Sequence, residues 1–235
     1  MAAMKTTRQV LLYGTSANPL TGLQGHMGAV AYCRQFVDEV WILPVYQHIY
    51  STKRQLASFH HRVNMCKLAI KALSADEGAR VEVKECEREL FEHLAAQTDT
   101  PEELRIGSID LIKFLLEKHP DTAFAMLLGA DTYSDLRAGK WKSGEELQRL
   151  VKLLVMDRKG VDSPWRQSAT DSDEQEASVA ASSEEKRVRF ITIPSLSDLS
   201  STQVRATEDV DTLKSYVGED VANYIVHNKL YAFTE

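Results

Sequence analysis

The chain is short of several things, and each shortage closes off a class of protein. Its three cysteines, at positions 33, 66 and 86 of 235 residues, are odd in number and far apart. Such a set makes neither a disulfide framework nor a metal-ligand cluster, and it fits a reducing, intracellular setting, with the cytoplasm as the expectation. No apolar run approaches the roughly 20 residues that span a bilayer. The opening MAAMKTTRQV also lacks an apolar signal core. Positive charge is scarce: 28 Lys and Arg against 34 Asp and Glu leave a net charge of -6. That balance, without a basic run, offers no footprint for nucleic acid or a membrane surface. It does not exclude a small anion, because a local cluster of donors holds a phosphate even on an acidic protein.

What is present is an alternation of strand and helix patterns. Gln9–Tyr13, Glu39–Leu43, Ala123–Leu128, Leu153–Met156 and Arg189–Ile193 read as buried strands, and Arg80–Cys86 alternates as another. Between or after them, Gly25–Val37, Gln55–Leu73, Ser108–Lys118 and Asp220–Asn228 carry helical spacing. Strands separated by helices predict βαβ units and an α/β fold, a doubly wound parallel sheet with its ligand crevice beyond the strand C-termini. The length suits a single domain over 1–235. Residues 159–187 break the pattern, being rich in Ser, Ala, Asp and Glu, and are expected to form a mobile insertion.

Chemistry first shows in the loop after the first strand, GTSANPLTGLQGH at 14–26. A strand entering a small-residue loop that opens a helix presents free amides and the positive end of the helix dipole, a ready anion site. Glycines let the backbone approach a phosphate, and His26 at the helix start can donate a ring hydrogen bond. A dehydrogenase fingerprint would need G-x-G-x-x-G and an acidic residue closing the second strand. Gly22, Gly25 and Gly28 have the wrong spacing and the second strand ends at Pro44. A second cluster, Ser200-Ser-Thr-Gln-Val-Arg205, follows the sixth strand. It reads either as an anion cradle, hydroxyls and amides with Arg205 one turn in, or as a capped helix with a solvated arginine. Gly129 closes the fourth strand, and Asp131 beyond it suits a ribose hydroxyl or the cap of a turn.

These residues resemble the nucleotidylyltransferase superfamily, and within it the nicotinamide/nicotinate mononucleotide adenylyltransferases. The loop is similar to the motif G-[GT]-[ST]-F-[DN]-P-x-[HT]-x-G-H through Gly14, Ser16, Asn18, Pro19, Gly25 and His26. It departs at Ala17, where an aromatic is usual, and by about two extra residues before His26. The first member of the H/T-x-G-H pair is therefore a displaced Thr21 or is absent. SSTQVR at 200–205 is similar to the I-S-S-T-x-[IV]-R motif that holds ATP phosphates in that family. Leu128–Asp131 through Trp141 to Leu154 resembles its G-x-D…L…W…L segment, and residues 44–65 its P…H…K…R-x-x-M-x-x-L-A stretch. Ser108-Ile-Asp110 matches the T-x-D helix start near its pyridine pocket. Tyr224-Ile…Leu230-Tyr231 is similar to its closing packing motif.

The resemblance implies a Rossmann-like nucleotidylyltransferase fold that moves AMP from ATP onto the 5′-phosphate of a pyridine mononucleotide, releasing pyrophosphate. His26, Lys53 and Arg205 would be the catalytic donors. Gly14, Thr15, Ser16, Asn18, Thr21, Gly25, His48, Gly129, Asp131, Ser200, Ser201 and Thr202 would line the ATP. Trp141, by stacking, and Ser108 would hold the mononucleotide, and Arg62 would be a structural anchor. Mg²⁺ would arrive with ATP, held by phosphates and water and by no protein ligand. Homo-oligomerisation is left open. Two alternatives stand: another acceptor, such as phosphopantetheine, or an idle nucleotide-binding sensor, which the spacing before His26 favours.

Overall fold

The structure is a computed structural model that describes residues 7–47, 56–75, 77–157, 187–193 and 196–234. The elements run β1 (Arg8–Thr15), α1 (His26–Cys33), β2 (Glu39–Pro44), α2 (Phe59–Ala69), β3 (Arg80–Val83), α3 (Cys86–Ala95) and α4 (Ser108–Lys118). They continue with β4 (Thr122–Gly129), α5 (Ala130–Arg137), α6 (Gly144–Leu150), β5 (Lys152–Asp157), β6 (Val188–Thr192), α7 (Ser201–Ala206), α8 (Val210–Val217) and α9 (Glu219–His227). The six strands form one sheet in the order β3-β2-β1-β4-β5-β6, and every neighbouring pair is parallel. Among the described residues no helix is long and apolar enough to cross a membrane. The insertion expected at 159–187 lies outside the described residues except for Arg187.

The unbroken apolar runs of the central strands have a direct cause. Successive side chains point to opposite faces, and both faces are covered. In β1, Leu11 and Tyr13 enter one buried cluster while Val10 and Leu12 enter the other. In β2, Val40 and Ile42 go to the first and Trp41 and Leu43 to the second. The first cluster is closed by α1, α2, α7, α8 and α9, the second by α3, α4, α5 and α6. The expected doubly wound α/β sheet is therefore present. Its strand order reverses between β1 and β4, where the connections leave to opposite faces and open a crevice at the strand C-termini.

Several boundaries differ from the sequence expectation. The strand expected to reach Cys86 ends at Val83, and Cys86 opens α3 instead. β3 is an edge strand whose pairing with β2 ends at Val83 opposite Ile42, although β2 itself runs on to Pro44. Helix α2 starts at Phe59, not at Gln55. Ser58 caps it by accepting from the His61 amide at 3.4 Å, and Leu56 and Ala57 remain non-helical. Helices α3, α5, α6 and α8 carried no expectation.

The loop leaving β2 is seated between α2 and α3. Tyr46 packs edge-on against Phe59 at 4.9 Å and leans on Phe91 at 5.3 Å. Its amide donates to Glu87 Oε2 at 2.8 Å. Burial pushes the Glu87 carboxyl up to about 7, although the Tyr46 amide and the Arg62 charge act the other way. A carboxyl raised in the folded state makes folding take up a proton. The stability carried by its neutral form is full below the unfolded value of 4.5 and is lost as pH rises through about 7. Glu87→Gln keeps an acceptor for Tyr46 without the charge. Urea unfolding is expected to show the variant losing less stability than the parent between acid and neutral pH. Equal losses in both would contradict this assignment.

Candidate active site

The loop from β1 to α1 is built around Thr21, which is fully buried. The His26 amide donates to Thr21 Oγ1 at 2.8 Å, and the same oxygen lies 2.6 Å from His26 Nδ1. The Thr21 amide also points at Nδ1, at 3.1 Å. An amide can only donate, so Nδ1 accepts, and the Thr21 hydroxyl donates to it as well. The neutral ring therefore carries its proton on Nε2, the tautomer suited to donating to an anion. A glycine at 25 is required here, since a Cβ at that position would meet Thr21 Oγ1 at 2.0 Å.

The extra residues before His26 are absorbed locally. Gly25 N donates to Gly22 O at 2.9 Å, closing a turn over Leu23 and Gln24. Leu23 stands 54% exposed on that turn. The bulge leaves Thr21 and Gly22 abutting Gly25 and His26, so the altered spacing does not remove a partner from the histidine.

The second cluster docks on the first. Helix α7 opens with a capping box: Ser200 Oγ accepts from the Gln203 amide at 3.3 Å, and Gln203 Oε1 accepts from the Ser200 amide at 2.8 Å. Ser201 Oγ then donates to Pro19 O at 2.8 Å, and Arg205 Nη1 to Asn18 O at 2.9 Å. Arg205 Nη2 donates to Thr202 Oγ1 at 3.1 Å. The upstream strand-to-helix connection is tied in as well, with Ser197 N and Oγ donating to Gln24 O at 2.8 and 3.0 Å. Residues more than 180 apart in sequence thus share one loop.

Arg62 braces the same loop from α2 and is 2% exposed. Its Nη1 donates to Ser16 O at 2.9 Å and Val45 O at 2.7 Å, and its Nε to Ala57 O at 3.0 Å. One guanidinium thereby joins the segments following β1 and β2, the anchoring role expected of it. Asn18 faces the protein as Thr21 does: it is 3% exposed, and its Oδ1 accepts from the Ala57 amide at 3.0 Å and the Tyr231 hydroxyl at 2.9 Å. Both were expected to line ATP, and the hydrogen bonds here assign their side chains to shaping the loop.

Gly14 near the end of β1 and Gly129 at the end of β4 are the backbone walls of the crevice. A Cβ on either would meet nothing within 4 Å. Thr15 Oγ1 accepts from the Ala17 amide at 3.2 Å. Asp131 is exposed in the first turn of α5. On the other face, the start of α4 and the segment after α5 come together. Asp110 Oδ2 accepts from the Gly107 amide at 2.8 Å, and Lys142 Nζ lies 2.8 and 3.0 Å from the two Asp110 oxygens. That bridge ties the segment bearing half-buried Trp141 to the start of α4, where Ser108 lies; these are the two residues expected to hold the mononucleotide. Lys142 was missed in the sequence, where an exposed lysine carries no signal. His48 and Lys53 lie outside the described residues. Among the described residues no group of three or more His, Cys, Asp or Glu could hold a metal ion.

A crevice at the switch point of a parallel sheet, with the 200–205 segment docked on the β1–α1 loop, defines the class. Residues 12–207 match the cytidylyltransferase-like family, and the chain belongs to it. Two curated relatives bear the name "probable nicotinate-nucleotide adenylyltransferase". The protein from Myxococcus xanthus is 31% identical over 163 residues, covering 68% of this chain and 74% of its own. The one from Anaeromyxobacter dehalogenans is 33% identical over 159 residues, covering 67% and 74%. Within the larger family, the chain belongs with these nicotinate-nucleotide adenylyltransferases. The fold is also that of the Plasmodium falciparum nicotinic acid mononucleotide adenylyltransferase complexed with NaAD. That match has a TM-score of 0.66 and 22% identity, and covers 96% of this chain and 98% of the other.

The Thr21 contacts make a spectroscopic prediction. In ¹⁵N-labelled protein His26 is expected as the Nε2–H tautomer, with the assignment weakened in Thr21→Val and kept in Thr21→Ser. An Nδ1–H signal in the parent protein would contradict the geometry.

Proposed function

We propose that the chain transfers the adenylyl group of ATP to the 5′-phosphate of nicotinate mononucleotide, forming the dinucleotide and pyrophosphate in NAD biosynthesis. The observation that carries this reading is the docking of the 200–205 segment on the 18–19 carbonyls, beside the His26 loop. The choice of nicotinate over nicotinamide is supported by the names of the relatives. Mg²⁺ would enter with ATP, held mostly by phosphate and water, and would offset charge on the phosphates. The cytoplasm is the proposed compartment, supported by three buried, unpaired thiols.

The reaction is one in-line displacement. An oxygen of the acceptor phosphate attacks the α-phosphorus, the bond to the bridging oxygen breaks, and pyrophosphate leaves with that electron pair. The attacking phosphate is ionised near neutral pH, so no general base is needed. The protein's part is to hold two anions together against their repulsion and to stabilise charge on the transferred group. His26 Nε2–H serves the α-phosphate, and Arg205 with the Ser201 and Thr202 amides and the Thr202 hydroxyl serves the outer phosphates. The Ser200 amide and hydroxyl and the Ser201 hydroxyl are already engaged with Gln203 and Pro19. Gly14 and Gly129 let the nucleotide lie against bare backbone. Lys53 and His48 are assigned by resemblance to the same phosphates. Trp141 offers its ring to the pyridine.

Pyrophosphate release from ATP is expected with nicotinate mononucleotide, more weakly with the nicotinamide form, and not with phosphopantetheine. Silence with both mononucleotides would overturn the proposal. His26→Ala is expected to lower kcat by at least ~100-fold, the loss typical of one transition-state donor. A near-parental rate would remove His26 from the chemistry. Trp141→Ala is expected to raise KM for the mononucleotide selectively, and a change confined to KM for ATP would count against stacking.

A further inference from the structure

The chain leaves α9 through two non-glycine residues with positive φ, Lys229 at 52° and Tyr231 at 59°. Bulky side chains seldom adopt that region, and such backbone persists where surrounding contacts over-determine it. At Tyr231 those contacts are identifiable. The phenol turns back into the protein, with its oxygen 3.9 Å from Met65 Sδ and its hydroxyl donating to Asn18 Oδ1 at 2.9 Å. Burial raises its pKa above the ordinary tyrosine value, although the nearby Arg205 and Arg62 charges oppose this, so the group stays a neutral donor.

Asn18 is held from two sides. Its side-chain oxygen takes Tyr231 and the Ala57 amide, and its main-chain oxygen takes Arg205 Nη1. The plane of the carbonyl that carries Arg205 therefore depends on what fixes the side chain of the same residue. We infer that Tyr231 is a positioning residue for ATP: through Asn18, its hydroxyl sets the carbonyl on which the Arg205 guanidinium rests. The closing motif of the chain, taken from sequence as packing, thus includes a polar contact that reaches the phosphate site. This rests on the adenylyltransferase reading of Arg205 given above.

Tyr224, on α9, is the internal comparison. It too makes side-chain hydrogen bonds, with His61 Nδ1 at 2.9 Å and from Asn64 Nδ2 at 3.0 Å, but neither of these joins the 16–19 loop. Calorimetric titration with an ATP analogue is expected to show about tenfold weaker binding in Tyr231→Phe, the effect of one lost hydrogen bond to a buried group. Tyr224→Phe is expected to bind like the parent. In an Arg205→Lys background, Tyr231→Phe is expected to have less than its full effect, because the hydroxyl acts through the guanidinium. Parental affinity in Tyr231→Phe, equal weakening in Tyr224→Phe, or full additivity with Arg205→Lys would each overturn the inference. A parent protein that binds no ATP would overturn the adenylyltransferase reading together with it. A parent that binds ATP but transfers nothing would fail only the reaction and leave this binding test decisive.

Discussion

Two main-chain carbonyls, those of Asn18 and Pro19, are where the two ends of the proposed nucleotide site become one object. Carbonyls in a buried loop need donors, and β1 cannot supply them once it has diverged from β4. The donors come from Ser201 and Arg205, so closing the loop and assembling the phosphate site are a single event. Thr21 then aims His26, Arg62 braces the loop against the end of β2, and Tyr231 fixes Asn18 from the far end of the chain. Remove the docking and each remaining contact would hold half a site.

The central sheet was readable from sequence because both of its faces are buried, which writes β1, β2 and β4 as continuous apolar runs. The missed elements have physical reasons as well. Helix α3 buries only Cys86 and Leu90 of its ten residues, and α6 only Gly144 and Leu147 of its seven. Cys86, Leu90 and Leu94 do share one face of α3, but they are interrupted by Glu87, Arg88, Glu89 and Glu92, and α6 spans only two turns. Glu85 falls where the Val81–Val83 alternation would next place an apolar residue, and Cys86 is out of phase with it, so the strand stops at Val83. In the site, the letters at 14–26 and 200–205 identified the segments. They did not say how Thr21 meets His26, because that depends on a two-residue bulge closed by a main-chain hydrogen bond. The tyrosine hydroxyl reaching Asn18 is a contact across 213 positions, invisible to any local pattern.

The charge balance has its own lesson. In an acidic chain, the proposed triphosphate site offers donors that are mostly neutral: amides, hydroxyls and an imidazole N–H. Full cations are distributed by task. Arg62, buried among three carbonyls, holds the loop. Arg205 is half exposed, rests on Asn18 O and is the cation proposed to meet the phosphates. Lys142 is paired with Asp110 and fixes the segment bearing Trp141. Counting positive residues would have missed this division, since only the partners distinguish an arginine that builds from one that binds.

The proposed function requires one nucleotide to be gripped from both clusters at once. The most direct measurement is a structure of the chain with a non-hydrolysable ATP analogue. The account expects the α-phosphate against His26 Nε2 and the outer phosphates against Arg205 and the start of α7. A triphosphate bound elsewhere, with neither His26 nor Arg205 touching it, would contradict the account.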